Sequence, residues 1–166
     1  MKKSTFVVVV LAGMLAFSVT AALALLSEEQ REVLRGLERL HVVVERLRPD
    51  VEVDGLYQST LETDAELTLR MAGIKVLSEE DSSQAPGAPD LYLKVNTLKC
   101  ANGYVYNLRL SLDETVSLPR KGAQVRATVL NFGDKLGIAP RLSDLRDEVR
   151  DLLEDFIRAW QAANQK

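Results

Sequence analysis

The chain of 166 residues has one cysteine, Cys100, and one histidine, His41. A single cysteine excludes any disulfide within the chain, even in a compartment that would allow one. A zinc site needs several imidazole or thiolate ligands, and these two lie 59 positions apart, so no such site can be assembled. Basic residues are not in excess: 21 Lys and Arg stand against 24 Asp and Glu, interspersed and without a basic stripe. That argues against a nucleic-acid partner. Aromatics are few, at 5%. There is no phosphate-binding loop, no dinucleotide fingerprint and no nucleophile elbow. The sequence therefore implies no catalytic set, no metal and no cofactor.

What is there begins at the N-terminus. Lys2 and Lys3 precede an apolar run from Phe6 to Leu26, whose strongly apolar part, Phe6 to Phe17, is twelve residues long. Ala22-Leu23-Ala24 follows, with small residues two apart. A basic end, an apolar middle and an A-x-A site are the parts of a secretory signal peptide, with cleavage expected after Ala24. No cysteine follows the run, against a lipid-modified end, and there is no twin arginine. The alternative is an uncleaved inner-membrane anchor over residues 6–26, since about 20 apolar residues can span a bilayer. The expected organisation is a signal peptide, 1–24, and a single α/β domain, 25–166. Cleavage leaves 19 basic against 24 acidic residues, a net charge of −5. The expected location is periplasmic or secreted, in a bacterial envelope.

The mature part opens with a helix. Ser27 and Gln30 have capping-box spacing, and Glu28 and Glu29 suit its first turn; Gly36 limits it. His41 to Leu47 is β-branched and reads as a strand. After turn signals at Pro49-Asp50 and Asp54-Gly55, Ser59 and Glu62 suggest a second capped helix. Its apolar face is Leu61, Ala65, Leu69 and Ala72, and Gly73 stops it. Ile74 to Leu77 is a short strand, so strand, helix and strand imply a right-handed parallel crossover. Ser78 to Asp90 lacks periodicity and bulk and reads as a disordered loop; its acidic run Glu79-Glu80-Asp81 lacks calcium-ligand spacing.

The firmest pattern is a meander. Asn102-Gly103 is a preferred two-residue hairpin turn. With Ala101 facing Tyr104, Leu93 meets Leu112, Val95 meets Leu110 and Thr97 meets Leu108. A second turn at Pro119-Arg120-Lys121-Gly122 sets Leu118 against Ala123, Val116 against Val125 and Leu112 against Val129. Leu145, Val149, Leu152, Leu153, Phe156, Ile157 and Trp160 then form the apolar stripe of a last helix, with Ser143 as its expected cap. The expectation is a two-layer α/β (α+β) sandwich. Its mixed sheet of about five strands contains an antiparallel meander, and its two main helices lie on one face, the other face staying wet.

Three groups merit a chemical reading. His41 is the lone conventional base, and its place before three valines reads as structural. Glu114 lies on the parity of Leu110 and Leu112, the core face. It is a buried carboxylate of raised proton affinity, or it reaches water past the covered sheet or at a bulge, or it pairs with an arginine. Tyr92, Tyr104 and Tyr106 gather at the first hairpin as packing residues or as a binding shelf. The polar sheet face around Asn96, Asn107 and Arg109 is the candidate partner surface, with an edge strand as a second option.

The run Leu69-Arg70-Met71-Ala72-Gly73-Ile74-Lys75-Val76, the hairpin after it and the ending Phe156 to Asn164 resemble small exported bacterial proteins of unassigned activity. The layout is also similar to the N-terminal domain of the Tol-system propeller protein. The resemblance implies an α/β envelope domain and supplies no functional residues. The sequence thus points to a non-catalytic binding or adaptor protein whose partner is another envelope protein, with a membrane involved only if the leader is retained. An envelope hydrolase using Glu114 or His41 is the alternative. The oligomeric state stays open.

Overall fold

The computed structural model describes residues 27–164; the expected leader, residues 1–24, lies outside them. Ten elements follow in order: α1 (Glu28–Leu34), β1 (Arg39–Val44), α2 (Pro49–Val53), α3 (Gln58–Met71), β2 (Lys75–Val76), α4 (Glu79–Gln84), β3 (Asp90–Cys100), β4 (Gly103–Leu118), β5 (Ala123–Ala139) and α5 (Leu142–Asn164). Packing divides the described residues into a larger unit, Glu38–Ile157, and a smaller one formed by residues 27–37 with 158–164. Among the described residues no helix is long and apolar enough to cross a membrane.

In the smaller unit the capping box forms as expected. The Ser27 hydroxyl accepts from Gln30 N at 3.1 Å, and Ser27 N donates to Gln30 Oε1 at 2.9 Å. The helix ends before Gly36, whose φ of +77° suits a glycine best. Trp160 Nε1 donates to Leu37 O at 2.6 Å, and Asn164 Nδ2 to Leu34 O at 2.8 Å.

The larger unit holds a five-stranded mixed sheet of order β2-β1-β3-β4-β5. β1 pairs in parallel with β2 and with β3, and the remaining pairs are antiparallel. This is the expected two-layer α/β sandwich. Leu40, Val42 and Val44 of β1, Leu91, Leu93 and Val95 of β3 and Leu108, Leu110 and Leu112 of β4 are buried on one face. Leu61, Ala65 and Leu69 of α3 and Leu145, Val149, Leu152, Leu153 and Phe156 of α5 are buried as well. The Phe156 ring meets Phe132 edge-on, with centroids 5.5 Å apart.

Several boundaries differ from expectation. β1 stops at Val44, and Pro49-Asp50 opens a short helix, proline suiting the first helical position. α3 begins at Gln58 after Tyr57, so Ser59 lies inside it and gives no cap. α5 begins at Leu142, so Ser143 lies in its first turn and not at the cap; Asp144, the third helical residue, reaches back so that its Oδ2 accepts from Arg141 N at 3.2 Å. The segment read as a disordered loop contains α4, which Ser78 caps by accepting from Asp81 N at 3.1 Å. Its tail is fixed too, because Thr115 N donates to Gly87 O at 2.7 Å along the free edge of β4.

The first hairpin is shifted by two residues. Leu91 meets Leu112, Leu93 meets Leu110, Val95 meets Leu108 and Cys100 meets Gly103, leaving Ala101 and Asn102 as the turn. An even shift keeps every side chain on its expected face. The glycine is needed for a different reason from a turn: Gly103 has φ +122°, and a Cβ there would lie 2.7 Å from Pro140 Cα. The second hairpin pairs Leu118 with Ala123 and Val116 with Val125 as expected, but Leu112 meets Leu130 rather than Val129. Register shifts at Leu112/Asp113 and Leu110/Ser111 leave Val129 and Phe132 as the extra residues of two bulges. They change the parity of β5, so that Ala127, Leu130 and Gly133 all stay on the helix-covered face.

Candidate functional site

The second face of the sheet carries a graded series of side chains, set by pairing and alternation. Nearest the α4 end, His41, Asp90, Asp113 and Thr128 stand side by side on β1, β3, β4 and β5. Next come Tyr92, Ser111 and Asn131. Then Lys94, Arg109 and Asp134 align, tied by two ion pairs: Lys94 with Glu45 at 3.1 Å, and Arg109 with Asp134 at 3.2 Å. The Arg109 guanidinium holds the Asp134 carboxyl below the usual carboxylate range. Asn96, Asn107 and Leu136 form the following row, and Leu98, Val105 and Ile138 the last.

Asn96, Asn107 and Arg109 are therefore brought together as expected: the two asparagines are direct partners, and Arg109 is two residues along the same face. The sequence reading missed the apolar half of this surface. Leu98, Leu136 and Ile138 are 60%, 79% and 65% exposed. Alternation alone assigns Leu136 and Ile138 to a core. The core face of this stretch of β5 instead holds Gly133, Lys135, Gly137 and Ala139. Gly133 and Gly137 leave room for neighbours: a Cβ at Gly133 would lie 2.7 Å from Leu152 Cδ1, and one at Gly137 would lie 2.5 Å from Tyr106 Oη. Lys135 reaches Glu148 of α5 at 2.8 Å.

The tyrosines do not form one shelf. Tyr104 and Tyr106 are buried on the core face, where the Tyr104 hydroxyl bonds Asp54. Tyr92 is on the other face, where burial and the nearby Glu45 carboxylate raise its pKa. Cys100 is exposed at the hairpin tip.

A second feature is a cavity of about 530 Å³ between α3, α4, β1 and the start of β3. His41 Nδ1 lies 3.1 Å from Asp90 Oδ1, and the Ser82 hydroxyl donates to the same oxygen at 3.3 Å. Arg126 bonds Asp90 Oδ2 and donates to Ala88 O at 2.6 Å and Asp113 O at 3.1 Å. His41 is thus oriented by a carboxylate. The expected parallel crossover joins β1 to β2 only; it is the place of β1 between β2 and β3 in the sheet that sets His41 beside Asp90.

Glu114 stands outside this cluster. It is half-buried, its carboxylate close enough that a Cβ at Gly87 would lie 3.4 Å from Oε2. Burial raises its pKa, and the Arg126 charge offsets part of that rise. The Arg126 guanidinium acts on Glu114 only through its charge, because its ion pair is made with Asp90. A bulge is also present next to it, on β5. Among the described residues no group of three or more His, Cys, Asp or Glu side chains could hold a metal ion.

No protein-family model matches the chain, and no curated protein matches it. Among solved structures, a PelC variant dodecamer from Paraburkholderia phytofirmans is similar. Identity is 22%, the match covers 72% of this chain and 90% of that chain, and the TM-score is 0.38. Likeness of that depth bears on neither activity nor partner.

Proposed function

We propose that the chain is an exported, non-catalytic binding or adaptor domain of the bacterial envelope, whose partner is another envelope protein docked on the second face of β3–β5. One observation carries the reading: three large apolar side chains, Leu98, Leu136 and Ile138, stand exposed together beside Asn96 and Asn107. A contiguous apolar patch with a polar border is the usual form of a protein contact surface. The Lys94–Glu45 and Arg109–Asp134 pairs give that border both charge signs, which would fix a partner's orientation more than its affinity. The leader-like N-terminus supports the envelope as the compartment.

The test is a photo-reactive residue placed at Asn96 in cells exporting the chain, with one at Arg150 on α5 as the control. A discrete adduct from Asn96 alone, lost in Leu136→Asp/Ile138→Asp, is the expected result. Equal labelling from both positions, or none from Asn96, overturns the proposal.

The hydrolase reading keeps one observation in its favour, the Asp90-oriented imidazole in a cavity. Against it, the Ser82 hydroxyl donates to Asp90 and not to His41, so the imidazole engages no nucleophile.

A further inference from the structure

The cavity beside His41 has a composition that selects a ligand class. β2 is two residues long because Ser78 caps the next helix, so β1 has a strand partner on that side only at Arg39 and Leu40. From His41 onward that edge has no strand partner, and the cavity opens on it. A volume of about 530 Å³ falls in the range of small-molecule sites.

Most polar groups in its walls are already engaged. Asp90 accepts from Arg126, Ser82 and His41. Gln58 Nε2 donates to Val44 O at 2.9 Å, and the Ser83 hydroxyl to Glu80 O at 2.7 Å. A carboxylate only accepts, so neutral His41 carries its proton on Nδ1 and keeps a lone pair on Nε2. Glu62 and Glu79, from α3 and α4, line the same cavity. Neither enters a hydrogen bond or ion pair among the described residues. The acceptors left open are the two carboxylates, Gln58 Oε1 and, with His41 neutral, the imidazole lone pair; the donors left open are the second Gln58 Nε2 proton and the two Arg126 N–H groups outside its three bonds, and the Thr115 hydroxyl can serve either way. Asp90 and Arg126 cancel, so the two glutamates set the charge.

We propose that this cavity binds a small organic cation through a primary ammonium group. An ammonium brings three donors and no acceptor, the complement of those open acceptors. A quaternary cation is a poorer fit, since no Phe, Tyr or Trp lines the cavity to face it. The cavity lies at the α4 end of the sheet and the exposed Leu98, Leu136 and Ile138 lie in its last rows at the first-hairpin end, so variants at the two places test the two readings independently.

The experiment titrates the isotope-labelled protein with butylammonium, with butanol and butyrate as size-matched neutral and anionic probes. Saturable amide shifts confined to Val42–Val44, Ser82 and Ser83 are expected with butylammonium alone. Glu62→Gln/Glu79→Gln should weaken that binding at least tenfold while its remaining spectrum stays in place. No saturation by about 10 mM, equal binding of butanol, or unchanged binding in the double variant would each overturn the proposal.

Discussion

Glu114 shows how one side chain records its surroundings. Its strand parity turns it toward the core face, and burial disfavours the charged form. Its folded pKa is raised from the ordinary 4.5. A carboxyl raised on folding lends stability that is fully present below its unfolded pKa and is lost as pH rises through the folded value. Glu114→Gln should therefore match the parent in acid and be the more stable protein at neutral pH. The gain should stay under about 1 kcal/mol, since the group is half-exposed and Arg126 offsets part of the effect. Thermal melts across this range are the check; curves that stay parallel would mean that burial is not the cause. The carboxylate itself was legible because it broke a period-two pattern. The His41–Asp90 contact was not, because its partners lie 49 positions apart, and only strand order makes them neighbours.

At the scale of elements, the apolar stripe of α5 and the alternation of β3 and β4 reported burial correctly, because a helix and two sheet strands each present one face to the same core. β5 did not. Its bulges change parity, its core-facing glycines carry no hydrophobic signal, and its exposed Leu136 and Ile138 imitate a core. The same blindness to local hydrogen bonding hid α4, whose polar sequence Glu79–Gln84 is held by a serine cap rather than by an apolar face. Two substitutions separate these cases. Phe156 is fully buried against Phe132, and Phe156→Ala should cost about 3–5 kcal/mol in urea unfolding. Leu136→Ala, at a residue that is 79% exposed, should shift stability by no more than about 0.5 kcal/mol. Similar losses at the two sites would show that the second sheet face is covered in the isolated protein.

For the whole molecule, the proposed role depends on where the domain is held. A cleaved leader releases it to diffuse and dock; a retained one fixes it to the membrane and restricts the docking face to partners within reach. The sequence favours release: the strongly apolar core spans only Phe6 to Phe17, and Ala22-Leu23-Ala24 supplies small residues at the spacing of a cleavage site. The capping box at Ser27 follows within three residues of that site. The exported protein should therefore begin at Leu25 and contain 142 of the 166 residues. Its intact mass should fall by that of residues 1–24, and it should fractionate without the membrane. Substituting Ala22 and Ala24 with bulky residues should block processing and move the protein to the membrane fraction. A full-length mass from the unaltered sequence would instead establish the anchored form. The second sheet face would then have to meet its partner close to the bilayer, and the photo-adduct from Asn96 should appear only in membrane fractions.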